Sequence, residues 1–195
     1  MAIMAAKMLR PKAIVGIDIS EKMLEVAKRD SSDRICYVHS AVEDASFENS
    51  RFDLITSSLV FHYIEDFPLL CKKLFAWLNP GGHLVFSIEH PMCTAYPEER
   101  WIRNGNEEVL YWPVNNYHFE GRRVTTWFVD NVIKYHRTTE TYVNTLIDTG
   151  LQIVRLSEPT VPEKSIQLRP ELYLQKKRPP FLLLSATKKI RPDDA

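Results

Sequence analysis

Residues 13–20 are AIVGIDIS, a short run rich in β-branched side chains that ends at the acidic residue Asp18. Such a run is typical of a buried strand. In nucleotide-binding α/β domains, a carboxylate at the end of one strand accepts hydrogen bonds from ribose hydroxyls, about 20 residues after a glycine-rich loop. Only 17 residues precede Asp18, and the single glycine among them, Gly16, lies inside the strand. The stretch therefore predicts the ribose-binding acid of a nucleotide cofactor site, without the glycine-rich loop that normally precedes it.

Strand and helix patterns alternate along the first half of the chain, which favours an α/β fold with a mostly parallel sheet. After the first strand, Ser20 is expected to cap a helix that ends near Arg29, with Met23, Leu24 and Ala27 on its inner face. The later elements that the pattern predicts are strands at 35–38, 52–56, 83–88, 151–156 and 181–187, a helix that begins at Asp66 and ends before the turn 79–82, and a helix at 138–149.

Residues 89–137 depart from this alternation. They are rich in aromatic side chains, and the pair Glu120-Gly121 predicts a hairpin or bent ribbon. We expect a single domain over residues 1–188, in which 89–137 is an insertion that covers the site as a lid. Residues 189–195 are expected to be a flexible tail, and the proline-rich stretch 158–180 a surface loop.

The composition narrows the class of partner. The 195 residues include 25 basic and 25 acidic side chains, so the absence of net charge argues against nucleic acid or an anionic membrane surface and favours a small molecule. The three cysteines show no CxxC spacing, which predicts neither a disulfide framework nor a metal site and fits a reducing cytoplasm. The apolar start of the chain is interrupted by Lys7 and Arg10, so we expect the end of a helix and no membrane insertion.

Three segments taken together, VGIDISEKMLEVAKR, RFDLITSSLVFHYIED and LNPGGHLVFSIEHP, resemble the class I S-adenosylmethionine-dependent methyltransferases. The resemblance is greatest to small bacterial-type members similar to the ubiquinone/menaquinone-biosynthesis group, and it covers roughly residues 5–187. It implies a Rossmann-like sheet, mostly parallel with an antiparallel last strand, and methyl transfer from S-adenosylmethionine to a small-molecule acceptor.

The resemblance also implies roles for particular residues. Asp18 matches the acid that binds the cofactor ribose, and Ile19 matches the position that lies against the adenine ring. In the loop at 40–44, the family's usual acidic position falls on Ala41, so Glu43 or Asp44 is expected to contact the adenine ring in its place, together with Val42. Ser57 matches the place where the methionine end of the cofactor is held.

A general base is required only if the acceptor is a hydroxyl or an acidic carbon, and histidine suits that role near neutral pH. Ligands of open α/β sheets bind beyond the carboxyl ends of the strands. That position makes His62 and His90 the candidate catalytic residues, with His136 as a further candidate.

The chain lacks the family's glycine-rich motif and the first strand, which is central in the family sheet. We therefore expect an N-terminally truncated sheet, explained by a misassigned start, a truncated gene, or direct pairing of the strands that end at Asp18 and Thr56. A non-catalytic remnant of the methyltransferase fold is one alternative. A nicotinamide-dependent oxidoreductase is another, although no Tyr-x-x-x-Lys arrangement is present.

Overall fold

The computed structural model describes residues 11–29, 31–96, 98, 100–126 and 129–190. They belong to two compact units, Met1–Phe47 and Glu48–Ala195. Three parts of the sequence-based prediction lie outside the described residues. They are the helix end at residues 1–9, residues 191–195 of the tail, and Trp127, one of the aromatic side chains of 89–137.

The N-terminal unit is a strand, a helix and a second strand. β1 (Ile14–Asp18) and β2 (Ile35–His39) pair in parallel, which places Asp18 opposite His39 at their carboxyl ends. Between them, α1 (Glu21–Arg29) begins at the predicted cap, because Ser20 Oγ accepts a hydrogen bond from the Met23 amide at 3.3 Å. Leu24 is buried but Met23 is 57% exposed, so its predicted inward position is wrong: the residue beside a buried helical position is rotated about 100° from it.

The C-terminal unit contains a four-stranded sheet with the order β3-β4-β10-β9. Its strands are β3 (Phe52–Ser58), β4 (Leu78–Glu89), β9 (Leu151–Ser157) and β10 (Phe181–Lys188). β3 and β4 are parallel, and β10 is antiparallel to both β4 and β9. The predicted antiparallel last strand is therefore confirmed.

Two helices cover one face of this sheet, and both begin where the sequence predicts a helix start. In α2 (Phe67–Trp77), Asp66 accepts from the Leu69 amide at 2.8 Å, and in α4 (Thr139–Asp148), Thr138 accepts from the Thr141 amide at 3.1 Å. The buried apolar side chains of the unit include Phe67, Leu70, Leu74, Leu84, Phe86, Ile88, Tyr142, Leu146, Leu182 and Leu184. In the described part of the chain, no helix combines the length and the apolar character needed to cross a lipid bilayer.

The predicted turn at 79–82 is present as an irregularity inside β4. Phe52 lies opposite Leu78 and Leu54 lies opposite His83, so residues 79–82 bulge out of the ladder. Gly82 is required there, since a Cβ atom on it would lie 2.8 Å from the Asn79 carbonyl oxygen.

The insertion 89–137 contains a short helix and two hairpins. α3 (Pro91–Thr94) follows β4; β5 (Ile102–Arg103) pairs with β6 (Val109–Tyr111), and β7 (Gly121–Thr125) pairs with β8 (Val132–His136).

The hairpin predicted near Glu120-Gly121 is present as β7 and β8, but this pair does not form its turn: Gly121 begins β7, and the turn lies at the other end of the ladder, where Thr125 is opposite Val132. The Glu120 carboxylate instead accepts hydrogen bonds from the Thr138 amide at 2.7 Å and the Thr141 hydroxyl at 2.6 Å. Glu120 therefore holds the start of α4.

The stretch 158–180 is not the loop that its prolines predict. It contains α5 (Glu163–Leu168) and a 3-10 helix (Pro170–Lys176). Proline is compatible with the first turn of a helix, and Pro170 occupies that position of the 3-10 helix. Arg178 then stacks on the insertion, with its guanidinium carbon 3.9 Å from the centroid of the Trp112 ring and 5.4 Å from that of Trp101.

The strands that end at Asp18 and Thr56 are each paired within their own unit. β1 pairs with β2 in the N-terminal unit, and β3 pairs with β4 in the C-terminal unit. Each of the two strands thus has a ladder on one side within this part of the chain.

Candidate active site

Asp18 lies at the carboxyl end of β1, where the chain leaves the strand. Its Oδ1 atom accepts a hydrogen bond from the Ser20 amide at 2.8 Å, and His39 Nε2 donates to the Ile19 carbonyl oxygen at 2.9 Å. The Asp18 side chain is half-buried, whereas Ile19 is 72% exposed. A fixed carboxylate next to an exposed apolar side chain fits a nucleoside, because one group binds ribose hydroxyls and the other packs against a base.

The loop that carries Val42 and Glu43 begins beside this acid. The Ser40 amide donates to the Asp18 carbonyl oxygen at 3.2 Å, and the amides of Asp44 and Ala45 both donate to the Ala41 carbonyl oxygen at 3.2 Å. Val42 is half-buried and Glu43 is exposed. Within the N-terminal unit, the predicted ribose and adenine contacts are therefore brought to one end of a parallel strand pair.

In the C-terminal unit, the carboxyl ends of β3 and β4 form a second polar region. Ser57 is half-buried and lies opposite Phe86 in the ladder. Two residues later, Leu59 has a φ of +55°, and its amide donates to the Ser87 carbonyl oxygen at 2.9 Å. A non-glycine residue held in this conformation costs about 1–3 kcal/mol and is often found at functional sites.

His62 lies in the 3-10 helix Phe61–Tyr63 that follows this bend, and it is 1% exposed. Its Nδ1 atom accepts a hydrogen bond from the Glu89 amide at 3.3 Å, so the proton of the neutral ring is on Nε2, which lies 3.9 Å from Glu89 Oε2. Burial, and secondarily the nearby charge of Lys134, lowers the pKa of His62 to about 3. His62 is therefore neutral at physiological pH, and Nδ1 already has a donor.

His90 follows β4 and caps α3. Its Nδ1 atom accepts from the Met92 amide at 3.1 Å and its Nε2 atom donates to Glu158 Oε1 at 2.8 Å. Burial lowers the pKa of His90 despite the opposing effect of Glu158. Both ring nitrogens are occupied.

His136 at the end of β8 is fully buried and is bonded at both nitrogens. Since Nε2 donates to the Tyr117 carbonyl oxygen at 2.9 Å, Nδ1 accepts from the Thr94 hydroxyl at 2.7 Å. Burial is the main cause that lowers the pKa of this ring as well. In this arrangement none of the three histidines offers a free acceptor nitrogen to a substrate.

Two charged residues that the sequence analysis did not identify lie beside His62. Lys134 of β8 is 1% exposed, and its Nζ atom lies 2.9 Å from Glu89 Oε1 and 2.7 Å from Glu89 Oε2. The Glu89 side chain, at the carboxyl end of β4, is 19% exposed. The strand pattern of 132–136 contained a signal for the burial of Lys134 but not for its partner: residues two apart in a strand point to the same face, so Lys134 shares the face of Val132 and His136.

A second cation, Arg137, fixes the chain that follows His62. Arg137 is 7% exposed and donates to the carbonyl oxygens of Ile64 at 2.6 Å and Glu65 at 2.5 Å. The insertion is thus attached to the carboxyl end of the four-stranded sheet through Lys134 and Arg137. The arrangement places a carboxylate, a buried lysine side chain and a neutral imidazole where ligands of open α/β sheets bind.

Known proteins resemble this chain over most of its length. The family described as "Methyltransferase domain" matches residues 2–86. An S-adenosylmethionine dependent methyltransferase from Mesorhizobium loti, whose structure is solved, is 38% identical with a TM-score of 0.83; the match covers 91% of this chain and 81% of that chain. The fold is therefore the Rossmann-like methyltransferase fold.

Two relatives extend the comparison. An uncharacterized protein of Haemophilus influenzae is 39% identical over 183 residues, which are 90% of this chain and 72% of that protein. The demethylmenaquinone methyltransferase of Bacteroides fragilis is 34% identical over 89 residues, which are 43% of this chain but only 36% of that enzyme. The resemblance to the menaquinone group is thereby confirmed. This chain belongs to the family of S-adenosylmethionine-dependent methyltransferases, and its cofactor is S-adenosylmethionine.

Proposed function

We propose that this chain transfers a methyl group from S-adenosylmethionine to a small-molecule acceptor. The observation that carries the proposal is the pair Asp18 and Ile19 at the carboxyl end of β1, a half-buried carboxylate beside an exposed apolar side chain. Asp18 Oδ1 is engaged by the Ser20 amide, and among the described residues no hydrogen bond to Oδ2 is formed. That oxygen is available for the ribose hydroxyls.

The remaining cofactor contacts follow from position. Val42 and Glu43 lie two and three residues after Ser40, whose amide is bonded to Asp18, and we assign them to the adenine ring. Ser57, near the carboxyl end of β3, is assigned to the methionine end of the cofactor. The exposed side chain of Ile19 would lose contact with water against the base, which is favourable by about 25 cal/mol per Å² of apolar surface.

The bound cofactor supplies an activated methyl group, so the protein mainly has to align the acceptor with it. His62 and His90 suit a positioning role better than that of a base, because their bonds leave no acceptor nitrogen free. His62 holds the loop after β3 against the Glu89 amide, and His90 holds the start of α3.

The assignment of a small-molecule acceptor is supported by two observations. The chain has no net charge, whereas binding to nucleic acid relies on neutralising phosphates with basic residues. The relative from Bacteroides fragilis acts, by its name, on demethylmenaquinone, which is a small molecule.

Calorimetry and label transfer test the proposal. We expect wild type to bind S-adenosylmethionine, and Asp18→Ala to bind it at least tenfold more weakly because the ribose hydroxyls lose their acceptor. Asp18→Asn keeps an oxygen for the Ser20 amide but loses the charge, so it separates ribose binding from the local turn. Asp33→Asn, at an exposed acid of the same unit, is the matched control.

With tritiated S-adenosylmethionine and a cell extract separated by size, wild type is expected to label the small-molecule fraction. Label in protein or RNA instead would contradict the proposed acceptor class. The absence of cofactor binding at millimolar concentration would favour the non-catalytic alternative.

A further inference from the structure

Glu89, Lys134 and His62 come from three different elements and meet at the carboxyl end of β4. β4 supplies Glu89, the 3-10 helix supplies His62, and β8 of the insertion supplies Lys134. Lys134 and His62 are each 1% exposed, whereas the Glu89 side chain is 19% exposed. Of these three side chains, Glu89 is therefore the most exposed; its Oε2 atom is buried and, within the described part of the chain, accepts no hydrogen bond.

The charges of this cluster balance. The Lys134 ammonium group lies 2.7 Å from one carboxylate oxygen of Glu89 and 2.9 Å from the other, and burial keeps His62 neutral. A carboxylate has about four lone-pair sites for hydrogen bonds, so the contacts with Lys134 leave acceptor capacity. A neutral hydrogen-bond donor satisfies that capacity, and the ion pair has no net charge with which to attract a cation or an anion.

We propose that Glu89 binds the hydroxyl group of a neutral acceptor and takes its proton during methyl transfer, and that Lys134 is a positioning residue for Glu89. This inference rests on the proposed function. The acceptor oxygen forms the new O–CH₃ bond as the S–CH₃ bond breaks, and the electron pair of that bond stays on sulfur. The hydroxyl proton moves to the Glu89 carboxylate, which later releases it to water.

The role of the insertion follows from this assignment. Lys134 holds the carboxylate from a strand 45 residues further along the chain, while the Glu89 amide is bonded to His62. The insertion would then build the acceptor site as well as cover it.

Binding of two neutral probes tests the proposal. Catechol carries two hydroxyl groups, and 1,2-dimethoxybenzene has the same ring with both hydroxyls methylated. In NMR titrations with S-adenosylhomocysteine present, we expect wild type to bind catechol at least tenfold more tightly than 1,2-dimethoxybenzene. The preference is a ratio of two affinities on one sample, so partial loss of folded protein does not change it.

The variants are chosen so that folding does not obscure the result. Glu89→Gln or Lys134→Met alone leaves a buried charge without its partner, whereas the double variant removes both charges and is expected to recover stability. We expect the double variant to bind both probes within twofold of each other, and Lys134→Met alone to lower the preference at least threefold. The matched control removes the exposed pair Glu163 and Lys176 and keeps the preference.

Transfer of tritiated methyl groups to catechol tests the proton transfer. Because a general base contributes about 10²–10⁴-fold to rate, we expect the double variant to be at least 100-fold slower than wild type. Equal affinities for the two probes in wild type, a preference that survives in the double variant, or binding of catechol by wild type without transfer would each overturn the proposal. Calorimetry with S-adenosylhomocysteine alone measures cofactor binding separately. If wild type does not bind it, the proposed function is wrong; if it binds but the results with the two probes differ from those expected, only the role of Glu89 is wrong.

Discussion

His62 illustrates how burial determines what a histidine can do. The ring lies at the carboxyl end of β3, as expected of a general base, but it is 1% exposed and its pKa is lowered to about 3. A ring that stays neutral down to that pH takes a proton poorly from a substrate near pH 7. It contributes instead by accepting the Glu89 amide hydrogen.

The lowered pKa of His62 should make the free energy of unfolding depend on pH. The unfolded ring binds a proton below about pH 6.5 but the folded ring does not until about pH 3. The contribution is therefore complete above pH 6.5 and is lost as the pH falls toward 3, by up to about 1.4 kcal/mol per pH unit.

Asparagine can offer an oxygen to the Glu89 amide without titrating. We expect the free energy of unfolding of His62→Asn, measured with urea, to fall less steeply than that of wild type between pH 6.5 and 4.5. The slopes are compared, instead of the absolute free energies, because the loss of ring volume lowers stability by the same amount at each pH. The contributions of His90 and His136 are common to both proteins and cancel in the comparison. Parallel slopes would show that the His62 ring binds its proton over the same pH range in the folded and the unfolded protein, and so that its pKa is not lowered.

Among the elements, the bulge at the start of β4 depends on a single backbone approach. A Cβ atom on Gly82 would lie 2.8 Å from the Asn79 carbonyl oxygen and 3.1 Å from that of Phe52. We expect Gly82→Ala to lower the free energy of unfolding by about 1–3 kcal/mol, since the strand must shift to admit the methyl group. Chemical denaturation measures the loss.

Gly105 is the matched control for this prediction. It lies between β5 and β6, and a Cβ atom added to it would meet no atom of the described residues within 4 Å. Gly105→Ala should change the free energy of unfolding by no more than about 0.5 kcal/mol. Similar losses in the two variants would mean that backbone propensities, rather than the close approach, set the cost.

The elements also show where sequence patterns suffice. α2 and α4 were predictable because apolar side chains at three- and four-residue spacing are a local signal, and both helices begin at the predicted residues, where Asp66 and Thr138 act as caps. The helical segments within 163–176 were missed because prolines dominate that stretch, and the β7–β8 turn was misplaced because Gly121 begins a strand instead of forming a turn.

The same distinction holds for the candidate site. Asp18 was found because the end of a β-branched run is visible in the sequence. The pair Glu89 and Lys134 was missed because it joins residues 45 positions apart, and only tertiary packing brings them together. Likewise, the bonds that occupy His62 and His90 come from the fold and not from the pattern around each histidine.

For the whole molecule, the lack of net charge has a physical consequence. The isoelectric point of the sequence is about 7.0, and every strand of the four-stranded sheet carries an exposed apolar side chain, among them Leu54, Val85, Val154 and Phe181. With little charge repulsion, such surfaces associate.

We therefore expect solubility, measured by precipitation with polyethylene glycol, to be lowest near pH 7 and to rise toward pH 9. Val154→Glu, on β9, should raise solubility at pH 7 by adding charge to the exposed face. A solubility that is flat between pH 7 and 9 would show that charge repulsion does not limit association.

The stacking of Arg178 on Trp112 and Trp101 makes the tryptophan fluorescence of the insertion sensitive to the position of Arg178. Indole emission responds to a cation held over the ring, and here the guanidinium carbon is 3.9 Å from one centroid and 5.4 Å from the other. If the segment that carries Arg178 moves relative to the insertion when an acceptor binds, the tryptophan fluorescence of the protein will change. Acceptor binding can then be followed without a label, with Arg178→Leu as the variant in which the cation is gone.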